Sequence, residues 1–512
     1  MATDREPIAR ATSVAATGTV RPATATIGQS AAVSPATALI ARVTILSAAA
    51  AFLVWPALWN GFPIVFADTG TYLSQAIHRY AGWDRPVFYS LFMLPLHATI
   101  TVWPVIVAQA LLTAWVVWRV CRVLVPGFSA SAFLIGIAGL AALTWLPWIV
   151  SELMPDLFTP LLIMLLCLLA WVPDRLSQRE QAVLAGIAAF MIASQQSSIP
   201  LAGILLTALA GLRWLTRPET PVLAASVLTA SRRWGLIMAP PVLAVLALCT
   251  VNLAAHGRFA IAPFGNVFLL SRVIYDGPGM AVLRRDCPLQ LGPSQPWRLC
   301  PFLDSFPPNS DDFLWTPDSP LARAGGAKAV SQDAGAIIAA ALIADPMGEA
   351  RAALTNALEQ LTRFDSGDGL TPWPAQVTPW ITHDFPGPER GRYATARQQE
   401  GRLSVPPLLA LAHRITALAG VIGCAMLLPF ALRRRAPCAG FLLAVLLGVL
   451  ANAAITGSLS APHDRYGARM MWLPPFIAVV SALSLAGLSN RRRRDPAAPV
   501  GPPAEKGRFN RQ

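Results

Sequence analysis

Three short polar stretches interrupt an otherwise apolar chain, and they hold the side chains best able to do chemistry. The first is Phe66-Ala67-Asp68-Thr69-Gly70-Thr71-Tyr72-Leu73, continuing to Asp84-Arg85-Pro86. The second is Ser151-Glu152-Leu153-Met154-Pro155-Asp156, and the third runs from Ser458 to Arg469 with His463, Asp464, Arg465 and Tyr466 inside it. Carboxylates can take protons from a reacting group. Arginines hold phosphates through forked donors.

Each stretch has a functional and a structural reading. A helix beginning near Asp68 would put Asp68, Tyr72, Gln75 and Arg79 on one face, at i, i+4, i+7 and i+11. Asp68 is equally suited to capping that helix. Pro86 restricts Arg85 to extended geometry, so Arg85 projects from a loop toward a lipid phosphate or toward a carboxylate; the structural ion pair is the commoner of the two. Asp156 suits the cap of the helix that follows it. Glu152 ends an apolar run, where the helix dipole is already negative, and needs an arginine, a metal or a substrate as partner. His463, Arg465 and Arg469 suit a phosphate or diphosphate headgroup. Their structural reading is an Asp464–Arg465 pair with interfacial snorkelling. Gln195, Gln196, His256 and Arg258 are weaker candidates for the same surface.

The elements that must position these residues are membrane spans. The chain has 512 residues, 54% hydrophobic and 13% charged, with mean hydropathy +0.51. Soluble domains carry about 25% charged residues. Continuous rather than alternating apolar runs exclude a β-barrel and predict an all-α polytopic membrane protein. About ten transmembrane helices are expected, at roughly 43–60, 98–118, 130–150, 157–172, 181–194, 198–214, 235–255, 408–431, 439–456 and 470–488.

The net charge of +13 does not point to nucleic acid, because the arginines gather at the ends of the apolar runs. Arg119/Arg122, Arg175/Arg179, Arg213/Arg217/Arg232/Arg233, Arg433 to Arg435 and Arg491 to Arg494 alternate with arginine-poor connections. The positive-inside rule makes the basic set cytoplasmic. Both termini are then cytoplasmic, in a multi-pass protein of the plasma (inner) membrane. The expected organisation is a disordered tail at 1–42, helices one to seven at 43–255 with a first outer loop at 61–97, an extracytoplasmic mixed domain at 256–407, helices eight to ten at 408–488, and a basic tail at 489–512.

The 256–407 segment is too long for a bare loop. Its second half carries helix signals, with Asp345 as cap and Pro346 as first helical residue. Ala353, Leu354, Ala357, Leu358 and Leu361 form an apolar stripe, which would lie on the membrane surface or on the segment's own core. Of seven cysteines, Cys287 and Cys300 alone fall in this outer segment and form a candidate disulfide. No Cys/His spacing suggests zinc, and there is no phosphate loop, kinase set or G-x-S-x-G elbow.

In arrangement and short motifs the chain resembles the GT-C superfamily of polytopic glycosyltransferases, which use polyprenyl-phosphate sugars. Asp68, in the first outer loop, looks like that family's catalytic acid. Arg85-Pro86 and Ser90-Leu91-Phe92 look like a degraded form of its Arg-Pro-Pro-x-Tyr-Pro-Leu continuation, with Val87 in place of the second proline. Glu152 or Asp156 is similar to the second acid of many members, and Asp464-Arg465-Tyr466 before Trp472-Leu473-Pro474-Pro475 resembles the Arg-Tyr-x-x-Pro entry to a late span. The resemblance implies Asp68 and Glu152 as catalytic acids. Tyr72, Arg85, Asp156, His463, Arg465, Tyr466 and Arg469 would bind substrate. It also implies a lipid-linked sugar donor, an acceptor of unknown identity, and room for a divalent cation at Glu152. Two other readings remain: a lipid or solute transporter, and a non-catalytic membrane subunit. Transporters place their sites near mid-membrane, whereas the polar groups here gather at one surface.

Overall fold

The computed structural model describes residues 34–216, 225–290, 297–366 and 369–494. The regular structure among them is helical, with one isolated parallel bridge between Ile64 and Glu152. Most of the two expected tails (1–33 and 495–512), Arg217, and the side chains of Arg232, Arg233 and Arg491 to Arg494 lie outside the described residues.

Among the described residues, eight helices are long and apolar enough to cross a membrane: Ala36–Leu53, Trp103–Leu124, Ser198–Leu215, Gly235–His256, Gly326–Ala344, Pro407–Arg433, Ala439–Leu459 and Asp464–Leu488. Seven of these overlap expected spans. The expected segments at 130–150, 157–172 and 181–194 are carried by shorter helices. Thr144 breaks the first of them, and Pro147 opens a new helix at Leu146–Val150 after Ala130–Leu143, since proline is tolerated in a first turn. The helix Phe158–Ala170 is buried at every residue. Its 13 residues rise only about 20 Å, so it is a core helix wrapped by its neighbours, not a lipid-facing span.

Gly326–Ala344 was expected within the 256–407 segment, not as a span. Val330, Ala334, Ile337 and Ala341 lie on one face of it and are buried. They pack against Phe264, Val267, Leu270 and Phe313 in a separate hydrophobic cluster. Its apolar composition is thus used in local packing. The cluster is closed by the Cys287–Cys300 disulfide. The later part of the same segment behaves differently: Val377, Ile381, Phe385 and Tyr393 join the main core.

The helix Ala67–His78 is held close to Pro374–Asp384 by a glycine. A Cβ on Gly70 would lie 1.9 Å from the Gln376 carbonyl oxygen, so only glycine permits this approach. Gly467 does the same in the helix Asp464–Met471, where a Cβ would lie 2.0 Å from the Arg363 carbonyl oxygen.

Candidate functional site

The start of the helix Ala67–His78 is fixed by Thr69. Its hydroxyl accepts from the Phe66 N–H at 2.9 Å and donates to the Leu153 carbonyl at 3.1 Å. The cap position is Phe66, so Asp68 does not cap this helix. Its carboxylate is left to face charged groups from elsewhere in the chain.

Two arginines meet it. Arg85 donates to Asp68 Oδ1 at 2.6 Å, and Arg465 approaches Oδ2 at 3.4 Å. Arg465 also lies 3.7 Å from Asp156 Oδ2. Arg469 donates to Asp156 Oδ1 at 2.9 Å and to Asn452 Oδ1 at 2.8 Å. Asn452 in turn donates to the Tyr466 carbonyl at 2.8 Å. Arg85, Asp68, Arg465, Asp156 and Arg469 therefore form a continuous row of alternating charges, ending on Asn452. The row is largely closed to solvent: Arg469 is 1% exposed, Asp156 2% and Arg465 8%. Charges this deeply buried persist only when paired.

Aromatic rings orient the guanidinium groups. Arg465 sits 4.1 Å from the Phe66 ring centroid and 4.9 Å from that of Tyr466. Arg469 lies 5.2 Å from Tyr466 on its own account. Arg85 lies between Trp315, at 5.3 Å, and Phe268, at 5.8 Å. These contacts add cation–π attraction where water is excluded.

Burial works to raise the Asp68 pKa, but the Arg85 and Arg465 charges outweigh it and hold the group below the usual carboxylate range. Asp84 is pushed the other way, chiefly by burial, despite Arg85 beside it. Tyr72 is buried with its ring edge-on to Tyr89. Burial and then the Asp68 charge raise its phenol well above the ordinary value, so it stays protonated and can only donate or accept a neutral hydrogen bond.

Several expected placements differ. Arg79 ends the Ala67–His78 helix in the left-handed conformation, φ 56°, which takes it off the face shared by Asp68 and Tyr72. Gln75 accepts from the Gly82 N–H at 3.1 Å and so serves the turn. Asp156 lies in a short 3-10 turn and makes no cap bond, because Arg469 has claimed its carboxylate. Asp464 accepts from the Asp365 N–H, while Arg465 reaches Asp68 and Asp156. The imidazole of His463 lies beside Tyr466 and 3.8 Å from Asp311. Its backbone is held from both sides by Gln360. Arg258 donates to the Pro263 carbonyl, and Gln195 accepts from Thr159; both are structural.

Glu152 is 4% exposed. A Cβ on Gly369 would lie 3.0 Å from Glu152 Oε1, which places the side chain against Gly369. Its carbonyl accepts from Gln109 at 2.9 Å, and Gln109 also accepts from the Tyr89 hydroxyl. No group of three or more His, Cys, Asp or Glu side chains gathers among the described residues. The Asp68 and Asp156 oxygens already accept from arginines. The donor set at Asp68 and Asp156 therefore does not fit a divalent cation.

Sequence reasoning missed Asn452, Gln109 and Gln398. Gln398 accepts from the Val65 N–H at 3.0 Å and donates to the Val65 and Gly369 carbonyls, so it sets the strand-like approach to Asp68. Asn452 had a readable signal, as the one amide within the apolar run 439–456; a buried polar group in a span needs a partner. Gln398 sits in a polar loop and had none.

A cavity of about 470 Å³ is lined by Trp83, His256, Phe264 and Lys328 among others, and by no residue of the charged row. Trp83 packs on Phe268 and Trp315, the same rings that hold Arg85. Trp83 thus links the cavity wall to the rings around Arg85. Comparison of the chain with protein-family models, curated proteins and solved structures finds no match.

Proposed function

We propose that this protein is a membrane glycosyltransferase, moving a sugar from a polyprenyl-phosphate donor to an acceptor at the membrane surface. The observation that carries the reading is the meeting of Asp68 with Arg85 and Arg465. Asp68 and Arg85 come from the first polar stretch and Arg465 from the third, and Arg465 also reaches Asp156 in the second. In soluble proteins such a row is ordinarily structural. Here it stands at the ends of apolar helices, and Trp83, in the wall of a cavity, packs on the rings that hold Arg85; a lipid phosphate would find partners in the arginines and a sugar in the aromatic wall.

In the reaction the acceptor oxygen attacks sugar C1, and its proton passes to Asp68. The bond from C1 to the phosphate oxygen breaks, and its electron pair leaves with the polyprenyl phosphate. Arg85 and Arg465 offset the charge growing on that phosphate. A single displacement inverts the configuration at C1. While both arginines bind Asp68, its basicity is low. A donor phosphate competes for the same guanidinium groups, so donor binding loosens Asp68 and raises its basicity. Asn452 holds Arg469, which holds Asp156, and Asp156 keeps Arg465 in place. Trp83 and Lys328, in the cavity wall, offer an aromatic face and donors to an acceptor.

The same reading includes a span layout with the arginine-rich connections and both termini cytoplasmic, and the charged row on the opposite surface. The test is Asp68→Asn and Glu152→Gln, made separately, in cells scored for surface glycans and lipid-linked sugars. Loss of a glycan with accumulation of its donor is expected for Asp68→Asn. Normal glycans without donor accumulation in both variants would sink the enzyme reading.

A further inference from the structure

The helix Pro346–Thr362 has two unlike faces. Its inner face is clasped by the rest of the protein. Glu349 pairs with Arg272, Asn356 donates to Asp276, and Gln360 holds the His463 backbone. Against Ala439–Leu459 the approach is backbone to backbone. A Cβ on Gly457 would lie 2.5 Å from the Asn356 carbonyl oxygen, and Ser458 donates to the Ala353 carbonyl.

The outer face is apolar and uncovered. Met347 is 76% exposed, Leu354 61% and Leu358 57%. At 3.6 residues per turn these three fall within about 40° of one another. Ile343, 82% exposed, and Leu342 extend the patch from the preceding helix. Arg351, Thr355, Glu359 and Arg363 are exposed beside the stripe. A narrow apolar stripe flanked by arginines and short polar groups is the pattern of a helix lying in a bilayer interface.

We propose that the outer face of Pro346–Thr362 is seated in the membrane interface, with lipid as its occupant. Continuity with lipid-facing surface supports this occupant. The helix that clasps it, Ala439–Leu459, is long and apolar enough to span. That helix exposes Leu450 and Leu459, and Leu459 adjoins Ser458, which bonds to Ala353. The stripe therefore runs into a surface that itself requires lipid. Arg351 and Arg363 fit the phosphate level of the headgroups.

The seat has a consequence for the charged row. Gln360 grips His463 two residues ahead of Arg465, so the depth of the helix in the interface sets the depth of Arg465. A phosphate at the headgroup level would meet Arg465 at a fixed height. The proposal concerns the seat alone and does not depend on glycosyl transfer.

The test uses nitroxide labels on the full chain in phosphatidylcholine/phosphatidylglycerol vesicles. The free cysteines Cys121, Cys167, Cys249, Cys424 and Cys438 are buried, so cysteines introduced at exposed positions are labelled selectively. Labels at Met347→Cys, Leu354→Cys and Leu358→Cys should be more accessible to oxygen than to a nickel chelate. Labels at Thr355→Cys and Glu359→Cys should show the reverse. Nickel-accessible labels at all five positions would overturn the proposal. So would immobilised labels, screened from both relaxants, with dipolar broadening between copies, because a second chain and not lipid would then cover the face. Each position is at the surface, so no label has to be accommodated in the core.

Discussion

Replacing Asp68 by Asn separates competition from catalysis, because the two effects have opposite signs. In the wild-type protein Arg85 and Arg465 share the Asp68 carboxylate at 2.6 Å and 3.4 Å. At an effective dielectric of about 20, a unit pair near 4 Å is worth roughly 4 kcal/mol before desolvation. Asparagine retains one acceptor oxygen, so the realised change is closer to a single charged hydrogen bond, about 1.5–3 kcal/mol. That change corresponds to roughly 10- to 150-fold tighter binding of an incoming phosphate. The assay is calorimetric titration of polyprenyl monophosphate into the purified full chain. Losing the base should lower turnover by about 10²–10⁴. The variant should melt lower by itself and gain more from polyprenyl phosphate than the wild type does. Unchanged or weaker phosphate binding in a folded Asp68→Asn protein would refute the competition between Asp68 and phosphate.

Three further outcomes follow from the packing. Asn452→Leu leaves Arg469 short of an acceptor and the Tyr466 carbonyl without its donor; thermal unfolding should show a loss of about 1–3 kcal/mol, and an unchanged midpoint would contradict the role given to Asn452. Gly467→Ala drives a Cβ to 2.0 Å from the Arg363 carbonyl oxygen, so destabilisation of at least about 1–3 kcal/mol is expected, whereas a neutral result would mean the two segments can part freely. Asp84 has its pKa raised by burial, so the folded state binds its proton more readily than the unfolded state, and this group's contribution to stability falls as pH rises from the unfolded value through the folded one. Asp84→Asn should remove that pH dependence and match or exceed wild-type stability at neutral pH; a large loss at pH 7 would mean the charge is required.

The membrane class was legible because it rests on composition and run length, which need no tertiary information. Helix lengths were not. The run at 130–150 looks continuous by hydropathy, and only the Thr144 and Pro147 break divides it. Gly326–Ala344 has the composition of a span yet packs Val330 and Ile337 into a local cluster, a choice set by neighbours and not by its own residues. At the site, residue types and stretches were readable, because charge is rare in this chain. Pairing was not readable. Arg465 adjoins Asp464 in sequence but reaches Asp68, 397 positions away. Arg79 had the right spacing for the Asp68 face, but the helix ends before reaching it. The supports Gln109 and Gln398 act through backbone carbonyls, and such contacts leave no pattern in a single sequence.

The most direct measurement uses the lipid-linked sugar that accumulates in cells carrying Asp68→Asn. That material is extracted and supplied, in vesicles with wild-type or Asp68→Asn protein, to membranes from those cells as acceptor. Wild-type protein should consume it, releasing one polyprenyl phosphate for each sugar transferred with inversion at C1, and Asp68→Asn should not. Intact donor recovered in full, or moved across the bilayer without cleavage, would contradict the glycosyltransferase reading.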